Sequence, residues 1–553
     1  MGRRLIERAS AALFAILLSG CAQLEGIYKP AQTVPLAADA VHADTSCTAA
    51  PEASPPPYDF EDLKDCTSQQ SLVVFAFSGG GTRSASFGYG ALKAAHAAMI
   101  PDAAGAHPFD RDIDIVSGVS GGSFTAAAYA NQRDKLFPAA PGAPDYYRDN
   151  FLTHNFFSDL ISIYLAPWHW QWMLPGYATN DEMAKVYANV DFSSSSDKLF
   201  APTFGDLAKK GRPLLVIQAT DFGNEQPFIF TQNDFDLICS DVNAYPVGNA
   251  IAASSAFPVL FSPIQLTNHH FTPTAANRSN YCHAHRPAWV NRVLASEPED
   301  LSRSYVRAKE AENYLPPKEE PAAGTPPAAK PQFVYLQDGG VTDNVALRGL
   351  MNIMALNLEG PDPVSWSEPA RAAACRTGLG RIDKVLIVAV DGEARPNNQV
   401  SSLPYLSDIG LILNVATSAA IDSNGFETMA AAEAMTKKLA AKLENLNCTG
   451  VVPDAVALGT KAVNAYFARV SFADLADETR LDPGACGKSE GTCLLGDLAR
   501  SATSLDFTGP QVDALIEAGR SAFLCNPKIG KFLRDSKADP GGKPAITCER
   551  PPK

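Results

Sequence analysis

Two apolar runs, each stopped by glycines, limit what this chain can fold into more than any other feature. Leu72 to Phe77 ends at Ser78-Gly79-Gly80-Gly81, and Ile113 to Val116 runs into Gly118-Val119-Ser120-Gly121-Gly122. Runs without polar alternation describe strands covered on both faces. Leu214 to Ile217, Phe333 to Leu336 and Val385 to Val390 repeat the pattern, and helical stretches lie between several of them (Ala91 to Met99, Phe124 to Ala130, Val345 to Leu356). Non-alternating strands interleaved with helices predict an α/β fold with a mostly parallel central sheet. From about residue 405 the chain reads as mainly helical, with a last helix around Pro510 to Phe523.

The 553 residues allow one large domain with insertions. A formal net charge of −14 argues against a nucleic-acid partner, because affinity for phosphate backbones comes mainly from Lys and Arg. Arg3, Arg4 and Arg8 precede the short apolar stretch Ala9 to Gly20, the form of a secretory signal and too short to span a bilayer. Leu18-Ser19-Gly20-Cys21 resembles the lipobox of bacterial lipoproteins, which implies cleavage before Cys21 and lipid attached to it. By the same resemblance, Ala22 implies sorting to the outer membrane. Setting Cys21 aside leaves an even number of the eleven cysteines, and an exported chain can form disulfides. Cys486 and Cys493, around a turn-like Gly-Lys-Ser-Glu-Gly stretch, are candidates for a local pair.

The expected organisation is a signal peptide over 1–20, an extended Pro/Ala-rich tether over 21–70, a catalytic domain over 71–535 and a tail over 536–553. Insertions interrupt the domain at about 150–180 and at 264–332. Within the first, Leu160 to Tyr177 has eighteen residues without Asp, Glu, Lys or Arg and carries Trp168, Trp170 and Trp172. Pro167 and Pro175 make it a poor membrane span, and its indoles suit either a core or a membrane–water interface.

Gly118-Val119-Ser120-Gly121-Gly122 lies between a predicted strand and a predicted helix, the context a nucleophile elbow requires. In Gly79-Gly80-Gly81, backbone N–H groups can converge on one point, as an oxyanion hole needs. Nucleotide binding fails on spacing, because Ser84 stands where either phosphate-binding motif needs glycine. For the base, all nine histidines lie at or before His285, so a late triad histidine is missing. A triad can still be drawn from Ser120, Asp221 and one of His269, His270, His283 or His285. The alternative base is Asp338, in Asp338-Gly339-Gly340 directly after an apolar run, where a carboxylate at the carboxyl end of a parallel strand faces the ligand crevice.

These motifs occur in one order: Gly79-Gly80-Gly81-Thr82-Arg83, Gly118-x-Ser120-x-Gly122, Ala253-Ser254-Ser255-Ala256-Phe257-Pro258 and Asp338-Gly339-Gly340. The set resembles the patatin-like phospholipase family. The resemblance implies a three-layer α/β fold, a Ser120–Asp338 catalytic dyad, an oxyanion hole at Gly79, Gly80 and Gly81, a supporting role for Arg83 toward the loop or an anionic head group, and no cofactor. Ser84 departs from the family's usual glycine. The implied activity is release of fatty acids from phospholipids or lysophospholipids by a lipid-anchored envelope protein. A thioesterase or carboxylesterase on the same dyad, and a catalytically silent lipid-binding protein, are the competing readings. The Cys282-His283-Ala284-His285 stretch lacks paired ligand spacing, so no metal is expected.

Overall fold

The structure is a computed structural model that describes residues 33–36, 56–60, 63, 70–102, 105–165, 179–257, 261–271, 286–295, 303–317, 331–358, 375, 379–394, 409–446, 462–501 and 506–549. Its elements run β1 (Ser71–Phe77), α1 (Gly81–Ala97), β2 (Ile113–Val119), α2 (Gly121–Gln132), α3 (Phe156–Leu165), α4 (Thr179–Ala188), β3 (Leu214–Asp221), β4 (Gln226–Ile229), α5 (Val247–Ser254) and β5 (Ile264–Thr267). They continue with α6 (Ala288–Ala295), α7 (Arg303–Ala311), β6 (Phe333–Gln337), α8 (Gly340–Asp343), α9 (Arg348–Leu358), β7 (Lys384–Asp391), α10 (Ile409–Glu444), β8 (Asn464–Ser471), α11 (Gly509–Cys525) and α12 (Pro527–Asp535).

The apolar runs become the sheet. Its order is β5-β6-β3-β2-β1-β7-β8, with β4 paired to β3. β3, β2, β1, β7 and β8 are mutually parallel. β1 through β3 and β7 are buried along almost their whole length, which is why their sequences show no alternation. On one side of the sheet α1 packs against both α2 and α11, and α10 contacts β7, β8 and α9. The result is the mixed three-layer α/β architecture that the sequence predicts.

From β1 the chain steps outward through β2 to β3, and it later returns to the opposite flank of β1 as β7. Such a reversal of strand order leaves a crevice at the carboxyl ends of the strands where the reversal occurs. The loops after β1 and β7 flank it.

The structure departs from the sequence reading in several places. Phe333–Gln337 enters the sheet antiparallel to β3, so the parallel placement expected for Asp338 is corrected. Leu336 lies opposite Asp221 and Gln337 opposite Thr220, so the strand arrives from beyond the carboxyl edge and stops there. Its carboxyl end therefore still reaches the crevice. β8 was not anticipated in a stretch read as helical; its alternating exposed and buried positions are those of an edge strand. The excursion expected from 264 leaves the sheet only after β5. α6 and α7 then build a small satellite core of Leu237, Trp289, Val290, Ala308, Ala311 and Leu315.

Described parts of the expected tether are docked. Val34–Pro35 pairs with Ser240–Asp241, and buried Tyr58 accepts the Leu215 N–H at 2.9 Å. Cys486–Cys493 is a disulfide, as is Cys525–Cys548, which ties the stretch after α12 back to α11. Cys239 and Cys375 are also disulfide-bonded. Among the described residues no helix is long and apolar enough to cross a membrane. The signal peptide, Cys21, the three tryptophans of 166–178, and Cys282, His283 and His285 lie outside the described residues.

Candidate active site

Ser120 sits where β2 becomes α2, with φ 48° and ψ −123°. That left-handed conformation is costly for a residue with a side chain, and its neighbourhood holds it in place. The Ser120 N–H donates to Ser254 Oγ at 2.9 Å, and Ser254 in turn donates to the Gln218 carbonyl at 2.6 Å. Ser123 Oγ donates to the Ser120 carbonyl at 2.6 Å. Gly121 permits the close approach the turn needs: a Cβ there would lie 2.2 Å from the Gly81 carbonyl oxygen. The elbow is thus pressed against the glycine loop that follows β1.

Register explains how the carboxylate arrives. Along β3, Val119 of β2 lies opposite Gln218 and Gln337 of β6 lies opposite Thr220, so the two strands end two residues apart on the same neighbour. Ser120 Oγ donates to Asp338 Oδ2 at 2.9 Å. The other carboxylate oxygen accepts the Gly340 N–H at 2.7 Å. The turn behind it is fastened by Asp338 N–H to the Ala256 carbonyl (3.1 Å), Gly339 N–H to the Ser254 carbonyl (3.0 Å), and Thr220 Oγ1 to the Asp338 carbonyl (2.8 Å). Burial pushes the Asp338 carboxyl up to about 6, against the opposing pull of its bonds from Gly340 and Ser120. A carboxylate with that affinity for protons is a competent base near neutral pH.

In the glycine loop, Gly80 has φ 134° and Gly81 φ 62°, conformations that L side chains rarely adopt. The Gly79 N–H donates to the Asn344 carbonyl at 2.8 Å, so it is already engaged. The Gly80 and Gly81 N–H groups have no partner among the described residues, which leaves those two as the available donors. Ser84 fastens the loop through its hydroxyl, donating to the Ser78 carbonyl at 2.6 Å, so the departure from glycine adds a bond here.

Arg83 is buried, and its guanidinium donates to the Gly392 carbonyl at 3.0 Å and to the Ser501 carbonyl. Burial draws it down to about 10, with Glu393 and Asp391 opposing that shift. Those bonds tie it to the loop after β7 and to Ser501, behind the glycine loop. Asp221 is committed elsewhere: its Oδ1 accepts from Tyr314 at 2.8 Å and from the Gly223 N–H at 2.9 Å. His269 bonds Thr33. Among the described residues no histidine contacts Ser120 or Asp338, and no cluster of His, Cys, Asp and Glu could hold a metal ion.

Three residues of this arrangement were not singled out from the sequence: Ser254 as the link between elbow and sheet, Thr220 behind Asp338, and Asn344 beside Gly79. Ser254 falls in a stretch the family resemblance had marked, but all three roles arise from tertiary contacts.

An α/β fold with an elbow-mounted serine bonded to a buried carboxylate is what the structure presents. Residues 75–278 match the model of the Patatin family, described as patatin-like phospholipase. The matched stretch contains the glycine loop, Ser120 and Ser254, while Asp338 lies beyond it. This match supports a lipid acyl hydrolase in general. No curated protein matches the chain. Among solved structures, human GIVD cytosolic phospholipase A2 is similar at 11% identity with a TM-score of 0.34, over 84% of this chain and 60% of the other, a likeness too loose to carry an argument.

Proposed function

We propose that the protein is a serine acyl hydrolase that releases fatty acids from phospholipids or lysophospholipids through a Ser120–Asp338 dyad. The observation that carries the reading is the 2.9 Å bond from Ser120 Oγ to Asp338 Oδ2 at a strained elbow, beside two N–H groups with no other partner among the described residues. Asp338 takes the hydroxyl proton as Ser120 Oγ attacks the acyl carbonyl carbon, and the Gly80 and Gly81 N–H groups hold the developing oxyanion. Collapse breaks the ester C–O bond, and Asp338 gives its proton to the departing alcohol. Water then loses a proton to Asp338 and attacks the acyl-serine, which frees the fatty acid and returns the proton to Ser120. The lipobox-like Leu18-Ser19-Gly20-Cys21 supports a lipid-anchored protein of the bacterial envelope.

The test is fatty-acid release from phospholipid and lysophospholipid vesicles by protein beginning at residue 22, beside Ser120→Ala. Release by the first and a fall of at least about 10³-fold in the second is the expected result. Release that survives the substitution sinks the dyad.

A further inference from the structure

A cavity of about 260 Å³ opens at the carboxyl ends of β7 and β8, outside the dyad itself. Its lining comes from the carboxyl ends of β7 and β8 and from α10, next to the crevice that the reversal between β1 and β7 leaves. One wall is charged: Asp391, Glu393 and Arg469. Phe426, Phe472 and Met429 also line the cavity. We propose that this cavity is the head-group subsite, built for a zwitterionic phospholipid head in which a phosphate is followed by an ammonium. The proposal rests on the hydrolase reading above and names its substrate class.

The cavity is one residue layer from the catalytic loop. Asn344 donates from Nδ2 to Glu393 Oε1 at 2.7 Å, while its carbonyl takes the Gly79 N–H at 2.8 Å. A Cβ on Gly79 would stand 3.5 Å from Ser120 Cβ. Gly392, between the two acids, donates its N–H to Ser78 Oγ at 3.0 Å. A lipid whose ester carbonyl reaches Ser120 therefore has its head directed to this wall or to open solvent.

The charges are arranged for a dipolar group. Arg469 spends Nε and Nη2 on Asp391 Oδ2, at 2.9 and 2.6 Å. Its Nη1 has no partner among the described residues, and the side chain is 50% exposed, so it can meet a phosphate oxygen. Phe426, 72% exposed, stands on the same cavity as the Glu393 carboxylate, and buried Phe472 and Met429 line it further. Aromatic faces beside a carboxylate favour an ammonium, above all a methylated one. Arg83, buried behind Gly392, balances the second acid, so the wall is close to neutral overall. A net-anionic head such as phosphoglycerol brings a phosphate but no cation for Glu393 and the aromatic face.

The experiment compares phosphatidylcholine with phosphatidylglycerol of identical acyl chains in mixed micelles, with a short-chain nitrophenyl ester as the substrate lacking a head group. Proteins are the chain from residue 22, Phe426→Ala and Arg469→Gln, each checked for cooperative thermal unfolding. Expected is a kcat/KM about tenfold higher for phosphatidylcholine, and a loss on that lipid in both variants, carried by KM, about tenfold beyond any loss on the nitrophenyl ester. Equal rates on the two lipids, a preference for phosphatidylglycerol, or folded variants with an unchanged lipid ratio overturn the proposal. Calorimetric titration of phosphocholine and glycerol phosphate into Ser120→Ala reads the subsite without turnover. Phosphocholine binding without hydrolysis by the parent protein would retain the subsite and remove the hydrolase reading, and absence of phosphocholine binding would remove the subsite.

Discussion

Asp338 carries the sharpest conflict between stability and use. Its carboxyl moves from the ordinary 3.8 to about 6 because burial penalises the ionised form. That cost is absent below pH 3.8, grows as the pH rises toward 6, and is complete above it, where it corresponds to about 3 kcal/mol at most. In the proposed mechanism the ionised form is also the one that accepts the Ser120 proton. Two outcomes follow from one group. The kcat/KM of the native enzyme should rise about tenfold per pH unit below 6 and level off above it, as a pH–rate profile would record. Asp338→Asn should abolish turnover yet gain stability over the native chain as pH rises from 4 to 8, by up to about 3 kcal/mol in urea titrations. A variant that is less stable at pH 8 than at pH 4, relative to the native chain, would contradict the burial argument. That Ser120, Asp338 and the Gly79-Gly80-Gly81 loop stand at strand ends was legible in the sequence, because each follows directly on an apolar run. Ser254, Thr220 and Asn344 were not, because each acts through a hydrogen bond to a residue far away in the chain, and no local pattern announces such a partner.

At the scale of elements, the glycine loop depends on how α1 is seated, since the helix begins at Gly81. α1 crosses α11 at a pair of glycines: a Cβ on Gly90 would lie 1.9 Å from the Ile516 carbonyl oxygen, and one on Gly519 would lie 1.9 Å from that of Phe87. Both neighbours are backbone, so neither can swing aside. Gly90→Ala and Gly519→Ala should each cost about 3 kcal/mol in denaturant titrations, although alanine is the better helix former. A stabilised Gly90→Ala would mean that the helices do not cross there. The parallel strands were readable because burial on both faces leaves continuous apolar runs. β6 was readable as a strand but not as an antiparallel one, since strand direction is set by the path of the chain between β5 and β6. β8 escaped notice because an edge strand interleaves exposed Asn464, Ala465 and Arg469 with its buried positions and so breaks the continuous apolar run that marks the central strands.

At the scale of the molecule, the last residues close the fold over α11. After α12 the chain pairs Asp539 with Met99, donates the Ala545 and Ile546 N–H groups to Ser521 Oγ at 3.1 Å, and is bonded through Cys548 to Cys525. Since α11 seats α1, this segment supports the catalytic loop from a distance. The two fully identified disulfides differ in what they constrain. Cys525–Cys548 closes 23 residues and Cys486–Cys493 only 7. On chain-entropy grounds the longer loop contributes about 3 kcal/mol and the shorter about 2 kcal/mol, a gap of about 1 kcal/mol. Packing widens that gap, because losing the longer bridge frees a segment that covers α11, whereas the shorter one pins a surface turn. Cys525→Ser should therefore lower the thermal midpoint more than Cys486→Ser, and hydrogen exchange should quicken in α11 and at Gly80 and Gly81 only in the first variant. Equal midpoints, with exchange unchanged in α11, would show that the terminal segment rests on the fold without holding it.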